Sequence, residues 1–206
     1  MYKLYGTNLT GTCAVQAALA ELDVPFERIE VSTKEGQHLT EDYKKINPRQ
    51  QVPALVLPDG LVVTEGPAIL NHLADAHPEA RLAPPPGTPQ RSQVTRWLVY
   101  FSVNVYEGEL RKLFGRRYTT DPNGGEAVEA AADEYVKRQY HIFEAELGGG
   151  PYFLESSFSI LDIYVWMLAQ WIDQNWIESN CPKILRLADT VKARPKIAPI
   201  HNLNFG

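Results

Sequence analysis

The 206-residue chain predicts an α/β domain followed by an all-helical domain. Short strand-like apolar runs alternate with helical patterns only in the first third. A stiff Pro84-Pro85-Pro86-Gly87 stretch then interrupts the chain. Beyond it only helical periodicity is strong.

The elements follow in order. Lys3–Tyr5 is a short strand. Thr10–Leu22 reads as a helix, with Ala14, Val15, Ala18, Leu19 and Leu22 on one face. Phe26–Val31 alternates as a second strand, so the opening is a βαβ unit with a parallel pair. Ser32–Gln50 is loop with a short helix at Glu41–Ile46. Val52–Leu57, the turn Pro58-Asp59-Gly60 and the run from Leu61 form a β-hairpin. A helix follows from Pro67, a natural first helical residue, with Gly66 as its cap, to about Ala76. The order βαβ then ββα is that of the thioredoxin fold. After the linker, helices are expected at Gln90–Leu113, Glu126–Leu147, Ser159–Trp171 and Lys183–Ala193. Ser159–Trp171 is too apolar all round for a surface helix, and Ser159-Ile160-Leu161-Asp162 opens it as a capping box. The expected division is 1–78, a linker at 79–89, and a helical domain at 90–206.

Hydrophobic residues make up 44% of the chain, enough for a packed core. Net charge is −5, without a dense Lys/Arg run, so a nucleic-acid partner is not expected. No run reaches membrane-spanning length, and Met1-Tyr2-Lys3-Leu4-Tyr5 lacks the apolar core of a signal peptide. A cytoplasmic protein without a membrane partner is the expectation. Cys13 and Cys181 are far apart and the histidines are scattered, so neither a disulfide framework nor a metal is expected.

The hairpin carries the chemistry. Pro53 stands at the start of the first hairpin strand, where its missing N–H costs least. The Val52-Pro53 bond is a candidate cis peptide. Thr64-Glu65-Gly66-Pro67 then brings together a carboxylate, a bare backbone N–H and a helix N-terminus. Glu65 can take an ammonium and the helix start a carboxylate, the two charges of a free amino acid.

Asn47-Pro48-Arg49-Gln50-Gln51-Val52-Pro53-Ala54-Leu55, with Thr64-Glu65-Gly66-Pro67, resembles the glutathione-binding signature of the cytosolic glutathione S-transferases. The likeness runs end to end, closest to bacterial, serine-type (theta/phi-like) and beta-like members. It implies a thioredoxin-like domain followed by an all-α domain. It also implies that Val52-Pro53 bonds the cysteinyl backbone of glutathione, and that Glu65-Gly66 holds its γ-glutamyl end. The family's usual Glu-Ser pair is Glu-Gly here, as in some bacterial members.

The resemblance further implies a group for the sulfur at the start of the first helix. The chain has Thr10-x-x-Cys13, similar to the Ser-x-x-Cys of serine-type members, and Leu4-Tyr5-Gly6 matches the plant-type strand end. Thr10 is the first candidate: its hydroxyl would donate to the glutathione sulfur and favour the thiolate. Cys13 through a mixed disulfide, Tyr5 as a catalytic phenol, and Thr12 are the rivals. His38 and Gln51 would meet the glycyl end. Tyr106, Phe101, Leu110 and Phe114 would line an acceptor pocket. The implied activity is glutathione S-transferase conjugation of the thiolate to a small electrophile, with glutathione as co-substrate, in a homodimer. The alternatives are a glutathione-binding regulatory or interaction module without catalysis, and a glutathione-dependent disulfide reductase or peroxidase.

Overall fold

The computed structural model describes residues 1–206. The chain divides into two compact units, one of residues 1–91 with 191–206 and one of residues 92–190.

The first unit is built on a sheet of order β2-β1-β3-β4, with β1 Tyr2–Gly6, β2 Phe26–Glu30, β3 Ala54–Val56 and β4 Val62–Thr64. β1 and β2 run parallel across helix α1, Thr12–Glu21, because a parallel pair needs a crossover. β3 is antiparallel to both β1 and β4, as a hairpin laid beside β1 must be. Gly60, at φ 94, makes the turn, and the Asp59 carboxylate accepts from the Leu61 N–H at 3.0 Å. Helices α2, Glu41–Ile46, and α3, Gly66–Ala76, complete the thioredoxin-like order. Leu4, Val15, Leu19, Leu55, Ile69, Leu70 and Leu73 are fully buried in this unit.

Local departures from the expected elements have local causes. α1 starts at Thr12 rather than Thr10, after a turn in which Leu9 takes φ 60 and the Thr10 hydroxyl donates to the Thr7 carbonyl. A Cβ on Gly6 would lie 2.0 Å from Thr12 Oγ1, so only glycine lets the helix begin this close to the strand. Gly66 is not the cap of α3 but its first residue; Glu65 holds the cap position at φ 66. The stiff linker expected at Pro84–Gly87 is followed by a side chain that ties it down. Arg91 makes a two-pronged bond to Asp75 at 2.7 and 2.9 Å, and also donates to Asn71 Oδ1 and the Pro84 carbonyl.

Residues 191–206, the end of the chain, pack as part of the first unit. Helix α10, Ala198–Phe205, packs on α1. Arg194 holds the Glu21 carboxylate through Nε and Nη2, both at 2.8 Å. The Leu9 N–H donates to Asn204 Oδ1 at 3.1 Å, and Asn8 donates to the Leu203 carbonyl. Sequence reading missed α10 because its eight residues mix Pro, His and Asn with the apolar positions.

In the second unit the expected Gln90–Leu113 helix runs from α4, Pro89–Tyr100, through a π-helical segment, Phe101–Tyr106, into α5, Glu107–Leu113. α6 is Gly125–Glu146, α7 Ile160–Ala169, and α9 Pro182–Lys192. A short α8, Gln174–Asn180, was not expected; Asp173 caps it by accepting from the Trp176 N–H. Every residue of α7 is buried, and Asp162 makes its capping box. The Asp162 carboxylate accepts from the N–H groups of Ser159 and Phe153 and from the Ser159 hydroxyl, each at 2.8 Å. Burial nonetheless pushes Asp162 up to about 6.

Candidate functional site

The sheet register gathers the candidate site at one end of the first unit. Tyr5 lies opposite Ala54, and Ala54 opposite Thr64. The residues after Tyr5, those before Ala54 and those after Thr64 therefore leave the sheet at the same end. That brings Thr7–Thr10, Gln51–Pro53 and Glu65–Gly66 together. Tyr43, Val52 and Val31 form a small buried cluster beneath, with Tyr5 and Ile46 against it.

The hairpin entry is tightly held. The Val52-Pro53 bond is cis. The Gln51 carbonyl accepts from both Tyr43 OH and Asn47 Nδ2, each at 2.7 Å. Burial pushes the Tyr43 phenol up to about 12, so it stays a donor at any working pH. Asn47, 3% exposed, also accepts from the Arg49 N–H at 3.0 Å. Its own carbonyl takes the Gln50 N–H at 2.8 Å, where Gln50 adopts φ 55. One buried amide thus fixes the backbone on both sides of the turn. Val52 precedes the first ladder residue, Ala54, so its backbone lies ahead of the paired strand.

Glu65 is exposed, and its side chain does not cap α3. Its Oε1 accepts from Arg49 Nη1 at 3.0 Å. The first turn of α3 offers N–H groups that lack helical acceptors, and Pro67 has none to offer. His38 sits on a short 3₁₀ turn, Gln37–Leu39, with its Nδ1 buried and without a hydrogen-bond partner. The Gln51 side chain is exposed beside the turn.

The loop that would meet a sulfur is closed on itself. The Thr10 hydroxyl donates to the Thr7 carbonyl at 2.7 Å and lies 2.8 Å from Thr12 Oγ1; it also accepts from the Thr12 N–H at 3.3 Å. A hydroxyl has one proton, so donation to a sulfur requires it to leave the Thr7 carbonyl. Thr12, at 1% exposed and against Gly6, is not open to a ligand. Cys13 is 1% exposed. Burial pushes its thiol far above the ordinary range, against a smaller opposing pull from Arg28. An accessible thiolate at Cys13 is contrary to this geometry. Tyr5 lies inside β1 rather than at its end, half-buried, its ring 6.4 Å from that of Tyr43.

The expected acceptor residues belong to the second unit. Phe101 is fully buried, in edge-on contact with Tyr140 and Phe143, so it is core and not an open wall. Tyr106 is half-buried in the π-helical segment, 5.3 Å from the Trp171 ring. Leu110 is half-buried on α5. Phe114 is 40% exposed, with the Arg117 guanidinium 4.1 Å over its ring.

Residues 2–75 match the family described as glutathione S-transferase, N-terminal domain, and residues 109–199 match glutathione S-transferase, C-terminal domain. The chain belongs to the glutathione S-transferase family. A glutathione transferase from Methylococcus capsulatus superposes with a TM-score of 0.83 at 30% identity, over 99% of this chain and 98% of that one. A glutathione transferase homologue from Sulfitobacter, solved with bound glutathione, superposes with a TM-score of 0.86 at 27% identity, over 98% and 97%. The uncharacterized GST-like protein YncG of Escherichia coli is 28% identical over 99% of this chain and 98% of its own length. The family fold of a thioredoxin-like domain and a helical domain agrees with the two patterns expected from sequence.

Asn47 and Arg49 were not singled out as site residues from sequence. The available signal was the Asn47-Pro48 dipeptide, which marks a turn. Nothing in the sequence shows that Arg49 reaches across 16 positions to Glu65.

Proposed function

We propose that the protein binds glutathione along the Val52–Gly66 edge and conjugates its thiolate to a small electrophile. The observation that carries this is the convergence of the Val52 backbone, Glu65 and the start of α3 at one end of the sheet, beside the β1–α1 loop. In this reading Val52 pairs with the cysteinyl main chain, Glu65 takes the ammonium, and the Gly66 N–H takes the α-carboxylate. His38 and Gln51 take the glycyl end. Thr10 turns from the Thr7 carbonyl to the sulfur and favours its ionised form. The electrophile comes to the half-buried and exposed residues Tyr106, Leu110 and Phe114. The working protein is a homodimer.

The test pairs calorimetry with turnover. Glutathione should bind, and a reactive aryl halide should be consumed at a rate that saturates with glutathione. No detectable glutathione binding at millimolar concentration would reject the site. Binding without turnover of any electrophile would leave the second reading, a glutathione-binding module. One observation favours that module: the Thr10 proton is already committed to the Thr7 carbonyl.

A further inference from the structure

The Arg49–Glu65 pair is poorly placed to stabilise the fold. Both side chains are about half exposed, at 54% and 52%. Such a pair contributes little to stability. Yet the backbone beneath Arg49 is fixed with unusual care. Its N–H is held by the buried Asn47 side chain, and the next residue takes a left-handed φ of 55. The guanidinium thereby meets Glu65 Oε1 at 3.0 Å.

Two capacities remain open in this pair. Glu65 has a second oxygen, and Arg49 has further N–H groups in a planar fork. A carboxylate already in contact with a guanidinium is a poorer partner for a simple amine than a free one. A zwitterionic amino acid differs, because its ammonium and carboxylate hang from one carbon. When the ammonium reaches the open oxygen of Glu65, the carboxylate on the same carbon comes within reach of the Arg49 guanidinium, which holds the other Glu65 oxygen. Charges then alternate around a closed ring: guanidinium, Glu65, ammonium, ligand carboxylate.

We propose that Arg49 binds the α-carboxylate of the γ-glutamyl group, so that Arg49 and Glu65 together select a zwitterionic amino-acid end over a plain amine. This builds on the glutathione reading above, and assigns Arg49 a role in specificity. A charge-assisted, fork-shaped contact predicts a loss of about ten-fold or more on removal.

The test is calorimetry on wild type, Arg49→Gln and Arg49→Lys with three peptides. They are glutathione, 4-aminobutyryl-cysteinyl-glycine, which lacks the α-carboxylate, and glutaryl-cysteinyl-glycine, which lacks the ammonium. Arg49→Gln should weaken glutathione and the glutaryl peptide by about ten-fold or more. It should leave the aminobutyryl peptide unchanged or tighter. Arg49→Lys should recover part of the loss, since it restores charge without the fork. Equal losses for glutathione and the aminobutyryl peptide would overturn the proposal, because Arg49 would then act only through Glu65. Unchanged glutathione affinity in Arg49→Gln would overturn it too. If the wild type binds no glutathione, the glutathione reading itself falls and the proposal falls with it. That outcome is distinct from a wild type that binds and an Arg49→Gln variant that binds equally well. Because the Arg49 side chain is more than half exposed, thermal melting should show the variants folded.

Discussion

The two ends of the candidate site are built on opposite plans. At the hairpin, polar side chains are spent on the main chain: Tyr43 and Asn47 hold the Gln51 carbonyl, and Asn47 holds the Arg49 N–H. The consequence is a fixed backbone edge, from which Glu65 faces outward with one oxygen on Arg49. At the β1–α1 loop, polar side chains are spent on one another: Thr10 on the Thr7 carbonyl and Thr12, with Leu9 tied to Asn204. In the function proposed above, recognition is therefore preorganised, whereas Thr10 must change partners before it can act on a sulfur. The two functions of the site need not be equally ready in the free protein.

The rule behind that contrast, that a buried polar group is only as settled as its partners, has its largest expected effect away from the site. Asp162 and Glu109 are both fully buried carboxyls of the second unit. Asp162 accepts three hydrogen bonds, whereas neither oxygen of Glu109 has one, and Lys112 stands 3.7 Å away. Burial pushes Glu109 up to about 7, with Lys112 opposing and Asp133 adding to the rise. A raised carboxyl holds its proton in the folded state where the unfolded chain releases it. Its contribution to stability therefore falls as pH climbs from about 4.5 to 7. Glu109→Gln removes that cost while Lys112 keeps Asp133 at 2.9 Å. Urea titrations should show the variant gaining on wild type across this window, by roughly 3 kcal/mol at pH 8. A constant difference between the two curves would contradict it.

Asn47→Ala strikes the hairpin plan directly. It strands the Arg49 N–H and halves the support of the Gln51 carbonyl, at a cost of about 2 to 3 kcal/mol in urea unfolding. Glutathione affinity should fall with it. Stability unchanged within error would mean that the turn does not depend on this amide.

Glu65→Ala leaves the hairpin backbone intact but removes the ammonium's partner. Calorimetry should show a loss of about 2 kcal/mol, near thirty-fold. Gly66→Ser, which restores a hydroxyl where most family members carry one, should be tolerated or tighten binding. Unchanged affinity in Glu65→Ala would dissolve the recognition end of the comparison.

The smallest effects belong to the loop. Thr10→Val should raise the bound sulfur's pKa and shift the lower limb of the pH–rate profile upward, with turnover about ten-fold lower per unit at neutral pH. Thr10→Ser should keep activity. Cys13→Ala should change stability and leave the profile in place, since the thiol is buried. The reverse pattern, an indifferent Thr10→Val and an inactive Cys13→Ala, would transfer the chemistry to the thiol.

What the sequence made legible follows the same division. The hairpin could be read because its signals are local: Pro53, Pro58-Asp59-Gly60 and Pro67 each restrict their own backbone. The apolar helix after Ser159 could be read because its composition admits no solvent-facing side. The contacts around the candidate site are long-range and leave no local mark. Glu65 meets Arg49 across 16 residues, and Leu9 meets Asn204 across 195. The same limit explains why Phe101, expected in a pocket wall, is core instead. Helical spacing gives a face but does not say whether that face meets solvent or, as here, Tyr140 and Phe143. Nor does any local signal show that residues 191–206 pack with the first unit, where Arg194 meets Glu21.

A crystal structure with bound glutathione tests the central claim most directly. The account predicts the cysteinyl backbone paired with Val52, the γ-glutamyl group on Glu65 and Arg49, and the sulfur nearest a Thr10 hydroxyl that has left the Thr7 carbonyl. Glutathione bound away from the Val52–Gly66 edge, or seated there with its sulfur nearest another side chain while Thr10 still faces Thr7, would contradict it.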